Sequence, residues 1–138
     1  MDPVSSRADR VAMLQAHDIK PTQQRLQIAE VIFEYPQHLS ADQILERVNE
    51  RNGHVSKATV YNTLGLFASR GLIREVTIDP SKVFYDSTTH HHHHIYNVDT
   101  GMLIDLDPAA VDVRTLPVAP PGTVIEGVDV VVRVRPRV

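Results

Sequence analysis

The sequence predicts an α+β chain of two parts, and three observations carry that prediction. The hydrophobic period is helical up to about residue 71 and strand-like after it. Each helical stretch follows a Ser or Thr placed to cap it, and the strand-like stretches are separated by Asp, Gly and Pro turn signals. The third is scale: 138 residues, 42% hydrophobic and 22% charged, make one ordinary domain or two small ones and not a disordered chain.

Ser5 and Ser6 open the first helix, with Val11 and Leu14 as its apolar side, and it ends before Lys20-Pro21. Thr22 opens the second, where Leu26, Ala29, Ile32 and Phe33 recur at three- and four-residue steps until Pro36. Ser40-Ala41-Asp42-Gln43 reads as a capping box for the third, with Ile44, Leu45 and Val48 facing inward. Ser56 opens the fourth, with Val60, Leu64 and Phe67 along one stripe and Gly71 placed to end it. Leu72 to Ile78 and Lys82 to Tyr85 then alternate around Asp79-Pro80-Ser81, a hairpin pattern. Short helices followed by a two-stranded hairpin give the element order of a winged helix-turn-helix over residues 1–85.

From residue 86 the chain restarts as strands. His90–Val98 and Met102–Leu106 flank the turn signal Asp99-Thr100-Gly101. Asp107-Pro108 offers an N-cap and a first-turn proline for a short helix to about Leu116. Pro117, Pro120, Pro121 and Gly122 make a stiff loop. Val128, Val130, Val132 and Val134 then alternate with Asp129, Val131, Arg133 and Arg135 as a half-buried strand. Residues 86–138 therefore form a small α/β unit, small enough that dimerisation through its sheet is expected.

There is no cysteine, which removes disulfides, thiolate zinc, iron–sulfur clusters and cysteine nucleophiles together. Glycine-rich phosphate loops, nucleophile elbows and HExxH are also missing, so an enzyme is not expected. No run of about 18 apolar residues occurs, and the N-terminus lacks a basic-then-apolar leader. A cytoplasmic location is the expectation. The net charge is −3, but it is uneven: residues 1–85 carry ten basic and ten acidic side chains, residues 86–138 four and seven. The acidity sits beside five of the eight histidines, away from the helical part.

The fourth helix keeps Lys57, Thr59, Tyr61, Asn62 and Thr63 on its N-terminal, outward part. These types suit a helix in a major groove: Asn pairs with adenine, Lys with phosphate or guanine, and Tyr or Thr touches a thymine methyl. Lys20, Arg25, Arg70, Arg74 and Lys82 lie at element ends near this surface, where they can hold phosphates.

The block His90 to His94 is internal and runs straight into Ile95-Tyr96-Asn97-Val98, unlike a terminal tag. On a strand, His90, His92 and His94 face one way and His91 and His93 the other. Two His in an H-x-H pair lie about 6–7 Å apart at Cα, close enough for both imidazoles to hold one ion. With Asp86, Asp105 and Asp112 as nearby carboxylates, sulfur-free donors suit Fe2+, Mn2+ or Zn2+. His38 stands in a loop before the third helix. A metal joining it to the His-rich strand would fix the angle between the two parts and link metal level to DNA affinity.

His38-Leu39-Ser40-Ala41-Asp42-Gln43, Ala58-Thr59-Val60-Tyr61-Asn62-Thr63-Leu64, Gly71-Leu72-Ile73 and the His run ahead of Gly101 together resemble the ferric uptake regulator (Fur) family, over about residues 6–135. The resemblance implies a dimeric, metal-responsive transcription regulator with an N-terminal winged helix and a C-terminal α/β dimerisation domain. Within the family the chain is most similar to the iron response regulator (Irr) branch. Asn62 stands where many members have Arg, Asn97 and Thr100 stand at the first of the family's paired CxxC motifs, and the ending Asp129–Arg135 lacks the last helix of longer members.

Carried over by position, the resemblance implies an interdomain regulatory site at His38, Asp86, His92 and His94, completed by Asp105 or Asp112. It implies a second site in the dimerisation domain at His91, His93 and Asp112, whose last-strand histidine is absent with Val128 near its place, so that the site is either incomplete or takes Glu126 or water instead. Tyr61 matches a thymine-contacting position and Lys20 a minor-groove lysine. The branch also raises haem. A Cys-Pro haem motif is closed to a chain without cysteine, but imidazole is a common axial ligand. The expected function is thus a homodimeric regulator that binds double-stranded operator DNA, its affinity set by divalent metal or haem. Peroxide sensing through Fe2+ held by His and Asp is the alternative, and a small non-haem iron enzyme or a metal buffer the remoter ones.

Overall fold

The computed structural model describes residues 6–51, 53–89 and 92–137, which divide into two compact units, Met1–Thr89 and His90–Val138. The first runs α1 (Arg7–Ala16), α2 (Gln23–Ile32), β1 (His38–Leu39), α3 (Ala41–Glu50), α4 (Lys57–Ser69), β2 (Arg74–Asp79) and β3 (Lys82–Asp86). All four helices start where the caps predict. Ser6, Thr22, Ser40 and Ser56 sit in extended conformation and accept a hydrogen bond from the N–H three residues on. At Ser40 the box closes both ways: Gln43 N–H donates to Ser40 Oγ at 3.2 Å, and Ser40 N–H donates to Gln43 Oε1 at 2.9 Å. Gly71, at φ 74°, follows the C-cap of α4 in the left-handed region that favours glycine. Gly53 is needed for space instead: a Cβ there would lie 2.6 Å from Val48 Cγ1 and 2.7 Å from its carbonyl oxygen.

The inward faces of the helices make one core. Leu14, Leu26, Ile28, Ile32, Ile44, Val48, Val60, Leu64 and Phe67 are buried together, closed by Leu72 and Ile73 just before β2 and by Tyr85 on β3. Each such side chain contributes about 1.5–3 kcal/mol on leaving water. Thr63, expected on the outward face of α4, is buried, because its position lies beside Val60 and Leu64 on the core side of the helix.

The sheet of this unit is ordered β1-β3-β2, all antiparallel. β2 and β3 form the predicted wing, and Ser81 closes its turn, donating from N–H at 2.8 Å and from Oγ at 2.7 Å to Asp79 Oδ1. Those bonds hold the Asp79 carboxyl below its ordinary range. β1 is not predicted; two residues are too few for any hydrophobic period, and His38 is strand rather than loop.

In the second unit β4 (His93–Asn97) lies at the centre of a three-stranded sheet, with β5 (Leu103–Leu106) antiparallel on one side and β6 (Val131–Val134) parallel on the other. The helix expected to Leu116 is a single 3-10 turn, Pro108–Ala110, capped by the Asp107 side chain. Beyond it Val111, Val113 and Thr115 are β-branched at every second position, which favours extended chain over helix. The last strand starts three residues later than Val128, and Val132 and Val134 are exposed rather than half-buried. Cross-strand register puts Ile104, Ile95 and Val132 in one row on one face, and Asp105, His94 and Val131 in the next row on the other. No helix among the described residues is long and apolar enough to cross a membrane.

Phe67→Ala should destabilise the first unit by about 3–5 kcal/mol in urea unfolding, whereas Glu46→Ala on the exposed face of α3 should change it by less than about 0.5 kcal/mol.

Candidate functional site

Two sets of metal-type donors can be built from their strands, one in each unit. In the first unit, His38 on β1 is the cross-strand partner of Asp86 on β3, so their side chains share a face. Asp86 Oδ1 accepts the Thr88 N–H at 2.8 Å, which turns Oδ2 to His38 Nε2 at 3.1 Å. Both are largely buried, Asp86 almost completely. Asp86 stands beside Arg74 on its other side in the same sheet.

In the second unit, strand alternation puts His92 and His94 on one face, and the register sets Asp105 of β5 opposite His94. His92 Nε2 lies 2.8 Å and His94 Nε2 3.6 Å from the same Asp105 Oδ1, with the two rings 4.6 Å apart at 59°. The ligand atoms of these three residues all fall within 4.8 Å of one another. Two imidazole nitrogens aimed at one carboxylate oxygen need a proton or a cation between them, since lone pairs otherwise face lone pairs. Neighbouring ligands on a divalent ion with bonds of about 2.1 Å sit about 3.0–3.4 Å apart, and the observed 2.8 and 3.6 Å bracket that spacing. The donor set therefore fits a divalent first-row ion bound by neutral imidazole and carboxylate. The half-exposed Asp105 is on the accessible side of the group.

Of the two carboxylates open from the sequence, Asp105 joins the imidazoles. Asp112 lies on the exposed segment after the 3-10 turn, accepting from Arg114 Nε at 2.6 Å. His93 faces away from His92 and His94. His90 and His91 lie outside the described residues.

The other candidate surface is on the first unit. A cleft of about 620 Å³ runs between the N-terminus of α2 (Thr22, Gln23, Gln24, Arg25) and the outer side of α4 (Thr59, Asn62, Leu66). Tyr61 and Asn62 are exposed beside it. Lys57 Nζ stands 5.8 Å from the centre of the Tyr61 ring, within cation–π range, and 3.7 Å from Asp42 Oδ1. Arg25 donates from Nη1 to the Lys20 carbonyl at 2.9 Å, which ties those two cationic residues to one corner of the surface. Arg70 and Lys82 carry ion pairs, to Asp18 at 3.4 Å and Asp79 at 3.9 Å. Gln23 and Gln24, and the Asp42 partner of Lys57, escape sequence reasoning: polar residues in a helical first turn look like solvated surface until the second helix is seen beside them.

The family model for the ferric uptake regulator family matches residues 16–130. This chain belongs to the ferric uptake regulator family. Its members are transcription regulators rather than enzymes. Among similar proteins, the peroxide-responsive repressor PerR of Staphylococcus aureus (strain Mu50) is 31% identical over 97 residues, 70% of this chain and 66% of the repressor. The chain thus spans just under two thirds of the length of that relative. The Vibrio cholerae ferric uptake regulator shares the fold at a TM-score of 0.70 and 22% identity, over 91% of this chain and 98% of that one. The Pseudomonas aeruginosa Fur solved with manganese does so at 0.69 and 24%, over 93% and 98%.

Asp105→Asn keeps the shape of the side chain but removes the charge that both imidazoles face. Isothermal titration with Mn2+ should show affinity weakened about tenfold or more, with the far-ultraviolet circular dichroism unchanged.

Proposed function

We propose that the chain is a homodimeric, metal-responsive transcription regulator that binds operator DNA through α4 and the β2–β3 wing. The observation that carries this reading is the two-imidazole, one-carboxylate group of His92, His94 and Asp105 in a member of this family. The His38–Asp86 pair of the first unit supplies a second half-site, and the regulatory site forms when both halves close on one ion. Fe2+ or Mn2+ is the effector that the donor set and the manganese-bound relative favour, with Zn2+ as the competitor. Closing fixes the angle between the winged helix and the sheet, and so the spacing of two recognition helices in a dimer.

On DNA, Tyr61 and Asn62 read base edges, while Lys57, Thr59, Lys20 and Arg25 hold phosphates or the groove wall. Lys57 exchanges Asp42 for a phosphate as it binds. The dimer forms through the apolar row of Ile104, Ile95 and Val132, of which Ile104 and Val132 are otherwise exposed and Ile95 part-buried. Haem draws no support from the described part of the run: His92, His93 and His94 are at most 7% exposed, which leaves these three no open imidazole for an axial bond. An operator target puts the working protein in the cytoplasm, and iron-linked genes of the Irr type are the expected targets.

A second reading is favoured by the peroxide-responsive relatives. With Fe2+ held by His92, His94 and Asp105, peroxide would pass one oxygen atom to a ligand imidazole and leave the other as water, and a chain without cysteine has no thiol to take that role. Mass spectrometry of the Fe2+-loaded protein after peroxide separates the two readings by the presence or absence of that oxygen.

The DNA reading is tested on a duplex selected by the Mn2+-loaded protein from a random pool, by fluorescence anisotropy. Tyr61→Ala should cost about 1 kcal/mol or more in binding while leaving Mn2+ content intact, and Lys57→Ala should lower the salt slope by about one. Unchanged affinity in both variants would remove α4 from the interface.

A further inference from the structure

The family resemblance implies a second metal site in the sheet unit around His93, and the hydrogen bonding of that residue speaks against it. Val130, just before β6, is held by β4 at both ends of its backbone. Its carbonyl accepts the His94 N–H at 3.1 Å, and its own N–H donates to His93 Nδ1 at 3.1 Å. The imidazole thus stands in for a strand carbonyl and extends the parallel β4–β6 pairing one residue ahead of the start of β6.

That bond decides the chemistry of the ring. A neutral imidazole has one lone pair and one N–H. With the lone pair of Nδ1 committed to Val130, the proton sits on Nε2, and Nε2 has nothing left to give an ion short of forming an imidazolate. Metal-bound histidines have the reverse pattern, in which the second ring nitrogen donates. The surroundings agree. The cleft of about 460 Å³ beside His93 is lined by Val111, Val113, Leu116 and Val128, with Glu126 as its one carboxylate among the described residues. Asp112 is not part of it and is engaged by Arg114. Aliphatic walls make a dication costly to desolvate, and one carboxylate does little to offset that.

We infer that His93 is a latch and not a ligand: it joins β4 to β6 on the apolar face of the sheet, and the second metal site is not built around it. The run of histidines is then divided by strand alternation, with His92 and His94 set for an ion and His93 set for the backbone. The inference is independent of the DNA reading and of which ion the other face takes.

His93→Asn tests it, because Asn Oδ1 can accept the Val130 N–H while offering no imidazole. His93→Leu removes the acceptor and keeps the bulk. Zn2+ bound per protomer, measured by native mass spectrometry, should be the same in the wild type and His93→Asn. Hydrogen exchange at the Val130 amide should stay slow in those two and speed up about tenfold or more in His93→Leu. A nitrogen-15 spectrum of the wild type should show His93 protonated at Nε2. Loss of one Zn2+ per protomer in His93→Asn, or a Zn2+-dependent shift of the His93 ring nitrogens in the wild type, would overturn the inference.

Discussion

One carboxylate oxygen faced by two imidazoles is the arrangement on which the proposed function of this chain depends. Asp105 Oδ1 lies within 3.6 Å of both His92 Nε2 and His94 Nε2, and that geometry needs a proton or a cation between the oxygen and each ring nitrogen. The rest of the sheet unit serves it. The β4–β5 register sets Asp105 opposite His94, and the tight turn between those strands fixes that register. A one-residue slip would carry the carboxylate to the opposite face and break the group entirely.

The same alternation gives the sheet two faces with different tasks. One face carries His94 and Asp105, while the other carries Ile104, Ile95 and Val132, with His93 bonded to the backbone beyond them. Polar donors and apolar surface therefore need no compromise, since neighbouring residues on a strand never compete for one side. The charge distribution follows the same division. The acidic excess lies in residues 86–138 with the donors, and the helical part is balanced, so its exposed Lys57 is not set against a large negative field.

Much of this was legible in the residues because local physics decided it. Four Ser or Thr caps marked four helix starts, and Ser40 with Gln43 formed the box their spacing predicts. His92 and His94 were separable from His93 by strand period alone. What was not legible depended on pairing across the chain. β1 is two residues long and exists only because β3 pairs with it, so His38 looked like loop. Asp105 could not be chosen over Asp112 without knowing which strand lies beside β4. The false helix after Asp107 shows a strong start signal outweighed by β-branched residues that followed it. The role of His93 needed the position of a backbone N–H thirty-seven residues away, which no pattern in the run reveals.

The proposed regulatory site, in which His38 of the winged helix and His94 of the sheet serve one ion, is tested most directly by a double-mutant cycle on Mn2+ affinity. His38→Ala and His94→Ala should each weaken Mn2+ binding, and the double variant should be weaker than the worse single one by far less than the sum, a coupling of about 1 kcal/mol or more. Losses that simply add, or a His38→Ala protein that binds Mn2+ like the wild type, would contradict a shared site.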